Sequence, residues 1–466
     1  MTLDGGVELQ RIGTKRNSID PSVHSVVRTQ HSLSKSKLDL NEEVAAGEPK
    51  SSNGTHGGAP ALKGHPLTAE QKRLARIQFF ALCWTLFLAG WNDGTIGPLL
   101  PRIREVYGVG TAIVSLTFVF ACLGFVSGAL VNIYLTERIG FGKTLVFGSL
   151  CQVAAYAIQA PAPPFPVFVM AYAINGAGHA LQDAQANGFV ATLQNHAEAK
   201  MGILHAAYGC GAFAAPLVST QFAQLPRWSF HFLASLGLAI SNTILLVLVF
   251  KLKSQDECLR QAGEVIPERT AESEQGTFKT VMRTKAVHLL AVFILIYVGV
   301  EVTIGGWIVS FIIEVRGGGP SSGYISSGFF GGLTIGRVAL LWVNKKVGER
   351  RVLFIYSVLC IALEITIWFV PSLIQNAVAV SIVGVLLGPM YPIAMNQASR
   401  ILPRWILTGS IGWIAGFGQA GSAILPFMTG AIAANHGIKS LQPLLVAMMV
   451  FMMVLWALVP TARRPD

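Results

Sequence analysis

Asp93-Gly94-Thr95-Ile96-Gly97 and Glu301-Val302-Thr303-Ile304-Gly305 decide the fold: each is an acid followed, one residue on, by Thr-Ile-Gly, and 208 residues separate equivalent positions. The same offset carries Gly124 to Gly332, Gly128 to Gly336, Arg138 to Lys346, Gly140 to Gly348 and Gly176 to Gly384. An offset of 207 carries Gly209-x-Gly211 to Gly416-x-Gly418. One match among 48 glycines means nothing, but a near-constant offset along the chain marks a duplicated unit.

What is duplicated follows from hydropathy. The 466 residues are 52% hydrophobic and 13% charged, where soluble domains run about 25% charged. With a mean hydropathy of +0.54, the chain cannot clothe a water-soluble surface, nor is it a disordered polymer. Apolar runs long enough to cross a ~30 Å hydrocarbon core fall at 76–101, 112–134, 143–161, 166–193, 200–222 and 229–250. Six more follow at 286–314, 322–343, 350–370, 376–400, 405–433 and 440–460. We number them segments 1 to 12. The chain therefore divides into a polar tail (1–75), a six-helix half (76–250), a linker with thirteen charges (251–285), a second half (286–460) and a short end (461–466). The expected architecture is an all-α membrane protein of twelve transmembrane helices in two pseudo-symmetric halves.

Charge placement orients it. Of 35 Lys and Arg residues, Arg102, Arg104, Arg227, Arg316 and Lys439 lie on one side, Arg337 falls within or at the end of a segment, and 29 lie on the other side. That bias puts both termini in the cytosol, and it argues against a nucleic-acid surface despite the net charge of +11. The tail lacks an apolar signal region, so it reads as disordered, and Asn53-Gly54-Thr55 as an unmodified sequon. The plasma membrane is the expected site, with a vacuolar or other endomembrane as the alternative. The expected partners are the lipid bilayer, a small solute and protons, for a monomer. Six cysteines show neither metal-ligand spacing nor a disulfide framework, and no cofactor or phosphate-loop motif appears. Nothing points to an enzyme.

The loop after segment 2 reads Glu137-Arg138-Ile139-Gly140-Phe141-Gly142-Lys143, and its counterpart runs from Gly336-Arg337 to Gly348-Glu349-Arg350-Arg351. Both resemble the loop signature of the major facilitator superfamily, with Glu137 in place of the usual Asp. The resemblance covers 76–460 and implies that Glu137, Arg138, Gly140, Lys143, Arg337 and Gly348 serve conformational change. Asn92-Asp93 in segment 1, with Asp183 and Asn187 in the Gly-rich segment 4, resembles the fucose–proton symporter branch and its fungal relatives. There, an acid on each of these two helices serves proton coupling and sugar binding. Segment 4 here carries Asp where that branch has Glu.

The chemistry resides in a few polar groups. Of 24 acids, only Asp93, Asp183, Glu301 and Glu364 fall well inside segments. A charge at the bilayer centre costs ~2.5–3.5 kcal/mol even on lenient scales, and a buried carboxyl escapes by taking up a proton. Asp93, Asp183 and Glu301 are thus the proton-coupling candidates; Glu364, on the peripheral segment 9, is left out. On segment 4, Asn175, His179, Gln182, Asp183 and Asn187 are spaced to share one helical face, which argues for an aqueous cavity. Asn92, His205, Tyr208, Tyr297, Trp307, Tyr391, Asn396, Trp413 and Gln419 are further candidates for contacts to an uncharged polyhydroxylated or aromatic solute, against bland roles in packing or interfacial anchoring. The Gly328, Gly331, Gly332 and Gly336 face of segment 8 reads as close packing.

The expected function is secondary active, proton-coupled transport of a small organic solute, by sugar-like symport. Proton-antiport efflux of a metabolite or drug-like compound, a passive facilitator and a non-transporting nutrient sensor are the alternatives.

Overall fold

The computed structural model describes residues 68–193, 195–264 and 277–461. The tail with its sequon, residues 265–276 of the linker and the last five residues lie outside the described residues. Ten helices are long and apolar enough to cross a bilayer, and an eleventh crossing is a pair, Pro320–Ala339 and Leu341–Val347, bent by 52°. The twelfth, Phe165–Ala191, is the polar segment 4. From here, span 1 is Ala69–Tyr107, span 2 Thr111–Val114 with Leu116–Ile139, span 3 Phe141–Gln159, span 4 Phe165–Ala191, span 5 Ala197–Ala223 and span 6 His231–Phe250. Span 7 is Lys285–Arg316, span 8 the bent pair, span 9 Glu349–Phe369, span 10 Leu373–Leu387 with Met390–Ile401, span 11 Arg404–His436 and span 12 Leu441–Leu458. No strand occurs among the described residues.

Span 1 starts earlier than the boundary at 76 because Thr68 and Gln71 form a reciprocal capping box: the Gln71 amide N–H donates to the Thr68 hydroxyl at 3.2 Å, and the Thr68 N–H to the Gln71 side chain at 2.9 Å. Spans 8 and 10 are each broken, span 10 where Gly388-Pro389 interrupts the helical hydrogen-bond ladder.

The packing repeats as the sequence does. Span 1 packs on span 5, span 2 on span 4 and span 3 on spans 4 and 6; span 7 packs likewise on span 11, span 8 on span 10 and span 9 on spans 10 and 12. Equivalent glycines do equivalent work. A Cβ on Gly124 or Gly176 would enter the backbone between spans 2 and 4, and one on Gly332 or Gly384 would enter that between spans 8 and 10. Gly140 (φ 84°) and Gly348 (φ 91°) turn the chain between spans 2 and 3 and spans 8 and 9, at backbone angles that side chains avoid.

The halves meet through span 1 on span 7, span 2 on span 11 and span 5 on span 8. The bonds joining them among the described residues lie at mid-height, Cys122 Sγ to the Gln419 carbonyl at 3.3 Å, or at the face opposite the linker. At that opposite face Arg104 pairs with Glu314, Gln221 meets the Tyr324 hydroxyl, and Gln224 donates to the Pro320 carbonyl at 3.4 Å. Toward the linker face, Gly188, Gly202, Gly412 and Gly416 border open space, as Gly108, Gly110, Gly317 and Gly319 do at the opposite face.

The linker is more than a tether. Gln255–Gln261 forms a helix capped by Ser254, and it docks on the first half: Gln78 donates to the Cys258 carbonyl at 3.3 Å, the Gly142 N–H to Lys253 at 2.9 Å, and Gln255 to the Thr192 hydroxyl at 3.1 Å. Cys258 and Leu259 are buried beneath it. A second short helix, Thr277–Arg283, packs on span 11.

Candidate functional site

Asp93 lies in span 1 one turn before Gly97, partly exposed. Tyr208 of span 5 donates to one carboxyl oxygen at 2.7 Å and Asn92 to the other at 3.1 Å. Asn92 in turn accepts from Asn175 of span 4 at 2.7 Å and from Tyr156 of span 3 at 3.4 Å. Spans 1, 3, 4 and 5 thereby converge on one carboxylate through neutral donors.

Across the interface Glu301, buried in span 7, has Arg337 of span 8 at 3.9 Å. Tyr297, one turn before Glu301, adjoins both and donates to the Leu387 carbonyl at 3.1 Å, one residue short of the break in span 10. Its ring lies 6.2 Å from that of Tyr391. Tyr208 is within electrostatic reach of Asp93, Glu301 and Arg337 together, so acids from equivalent positions of the halves share one region. Asp183 accepts from Asn187 at 2.9 Å and lies within electrostatic reach of His205 and Tyr391. His205 is exposed, one turn before Tyr208 on span 5.

Other candidates are placed elsewhere. Gln182 is buried toward span 3, donating to the Leu145 carbonyl at 3.4 Å, rather than sharing a cavity wall with Asp183. The reason is geometric: side chains stepping by about 100° spread the five polar residues of span 4 over a wide arc, and spans 1, 2 and 3 enclose that arc. His179 packs edge to face with Phe125, their ring centroids 5.5 Å apart. Trp307 is fully buried and donates to the Pro426 carbonyl at 3.0 Å, which makes it a packing residue between spans 7 and 11. Asn396 donates to Glu349 at 3.0 Å near the linker face, where Arg400 pairs with the same carboxylate at 2.8 Å. Trp413 packs against His288 and Phe417. Gln419 is half-buried, its carbonyl being the contact to Cys122.

In the loop signature, Glu137, Arg138 and Lys143 are exposed, and Arg138 lies over the Tyr134 ring at 5.0 Å. Arg337, read from sequence as part of the second loop copy, instead sits within the membrane part of span 8 and points at Glu301. The sequence placed it within or at the end of segment 8 but did not reveal its partner, Glu301. The available signal was its position inside an apolar run, where a lone guanidinium needs a carboxylate. Glu364 is buried in span 9, and neither of its carboxyl oxygens has a hydrogen-bond partner among the described residues.

Two six-helix halves with the same packing pattern meet at the polar residues around Asp93 and Glu301. The chain belongs to the Major Facilitator Superfamily, whose family model matches residues 82–404. It is similar to the protein called Bypass of stop codon protein 6 of Saccharomyces cerevisiae, 27% identical over 427 residues, covering 86% of this chain and 85% of that one. It is also similar to the glucose/mannose transporter GlcP of Bacillus subtilis, 23% identical over 348 residues, covering 74% and 85%. The crystal structure of the Escherichia coli fucose:proton symporter FucP superposes with a TM-score of 0.57 at 15% identity, covering 82% of this chain and 98% of that one.

Proposed function

We propose that the protein is a proton-coupled symporter that carries a small, uncharged, polyhydroxylated solute by alternating access, with its linker face in the cytosol of a plasma-membrane carrier. The observation that carries this reading is the Asp93 carboxyl, held at the junction of the halves by two neutral donors, Tyr208 and Asn92. Such a group can take up a proton without breaking an ion pair or leaving a partner cation bare, and on releasing it the carboxylate keeps both donors. In the cycle, Asp93 takes up a proton when the opposite face is open, and a solute hydroxyl replaces a water among Asn92, Asn175 and Tyr208. The halves then rock to the conformation described here, where proton and solute leave on the linker side. Asp183, His205 and Asn187 border the exit and supply further hydrogen bonds and a second acid. The names of GlcP and FucP support a sugar-like solute.

Proteoliposomes with an alkaline interior and a panel of tritiated hexoses test it. One pH unit stores ~1.4 kcal/mol per proton, which supports about tenfold accumulation at one proton per solute. Asp93→Asn should abolish that accumulation while leaving counterflow exchange. Undiminished accumulation in the variant would remove Asp93 from the coupling step, and counterflow in the wild type without accumulation would make the protein a passive carrier.

A further inference from the structure

Asp93 and Glu301 are equivalent by the 208-residue repeat and share the central region, yet their partners differ in kind. Asp93 has the Tyr208 hydroxyl and the Asn92 amide, which are neutral. Glu301 has the Arg337 guanidinium at 3.9 Å, with Tyr297 beside both. Arg337 has no such counterpart in the first half: 208 residues earlier the chain has Ala129. The symmetry of the repeat is therefore broken by one cation, and it is broken on the side of Glu301.

Resting on the transport reading above, we propose that Arg337 is a resident counter-ion that keeps Glu301 ionised throughout the cycle, so that Glu301 carries no proton and Asp93 is the acid of the pair that does. A guanidinium stays charged under all physiological conditions, and an isolated one in hydrocarbon is costly. Protonating Glu301 would strand Arg337, whereas protonating Asp93 strands nothing. The groups facing this centre are Tyr208 from span 5, Tyr156 from span 3, Tyr297 from span 7 and Tyr391 from span 10, with Asp183 and His205 toward the linker face. Apart from Arg337, none of these is a fixed cation able to pair with Glu301. Arg337 is thus a positioning residue: it assigns the proton without carrying it. The arrangement also makes the charge of the site defined, with one fixed pair that cancels internally and a carboxyl that is neutral whenever solute and proton travel together, which suits an uncharged solute.

The test needs no identified solute. The full chain in lipid is titrated while the infrared C=O stretch of protonated carboxyls is followed, each variant being checked for folding by size exclusion. Asp93→Asn should lose one carboxyl's worth of band intensity relative to wild type. The double variant Glu301→Gln with Arg337→Gln should lose none. Arg337→Gln alone should gain one carboxyl, because Glu301 without its cation must take up a proton, and that gain should vanish in the double variant. Loss of a carboxyl in the double variant, an undiminished band in Asp93→Asn, or no gain in Arg337→Gln would each overturn the assignment. In proteoliposomes, absence of hexose accumulation in the wild type would strike the symport reading instead, without touching the carboxyl assignment.

Discussion

Spans 1 and 7 cross at Gly97 and Gly305, which the repeat makes equivalent, and a Cβ placed on Gly97 would overlap the Gly305 carbonyl oxygen, with Ser326 Oγ 3.4 Å away. Opposing backbone cannot swing aside as a side chain can, so Gly97→Ala forces the two spans apart. Overpacking of this kind costs ~1–3 kcal/mol. On the alternating-access proposal, this crossing parts when the face opposite the linker opens, so the cost should fall on the conformation described here and not on the open one. Converted to populations, it raises the ratio of opposite-face-open to closed molecules by about 5- to 150-fold. The opening is measurable across the cleft at the face opposite the linker, a space of about 410 Å³ bordered by Glu105 of span 1 and Gly319 beside span 8. With the six native cysteines replaced, spin labels at Glu105→Cys and Gly319→Cys report the separation by pulsed electron resonance. Gly97→Ala should add a long-distance population, whereas Gly237→Ala, on span 6 with open space around it, should add none. An unchanged distance distribution in a folded Gly97→Ala protein would refute the reasoning, since the crossing would then have slack that its geometry denies.

Arg104→Ala removes the Arg104–Glu314 pair at the face opposite the linker; both side chains are partly exposed, so it should open that face by at most ~1 kcal/mol, and 1 M salt should erase the difference between variant and wild type in the same distance measurement. Gly140→Ala and Gly348→Ala each impose an avoided backbone conformation and should lower thermal stability by ~1–3 kcal/mol, read as a drop in Tm; equal Tm values would mean that the turns relax. Burial of the linker helix against the first half pushes the Cys258 thiol up from 9.0 to about 11. The docked state thus disfavours the thiolate, so docking is strongest below pH 9 and weakens as pH rises from 9 toward 11. Alkylation of Cys258 by a maleimide should be slow at pH 8 and accelerate when Gln78→Ala removes the hydrogen bond to the Cys258 carbonyl, a bond worth ~0.5–1.5 kcal/mol; equal rates would show that the helix is not held there.

Hydropathy and repeat alone determined the all-helical twelve-span architecture, because in a bilayer each span must satisfy its own backbone and bury itself by composition, both local properties. The same locality explains why the acids of spans 1, 4 and 7 stood out: a carboxyl in an apolar run is anomalous wherever its neighbours are. What those acids touch is a different matter. That Tyr208 reaches Asp93 across 115 residues, that Gln182 turns to span 3, that Trp307 caps the Pro426 carbonyl and that Asn396 serves Glu349 depend on how helices rotate against one another. Packing sets that rotation, and no periodicity encodes it. Arg337 shows the limit most plainly: the chain marks a cation within or at the end of a segment, but only the packing of span 8 on span 7 shows that it faces Glu301 at 3.9 Å. The contact of Gly97 with Gly305 is likewise a tertiary fact: the glycines are visible in the chain, but which of them meet is set by how the two halves pack.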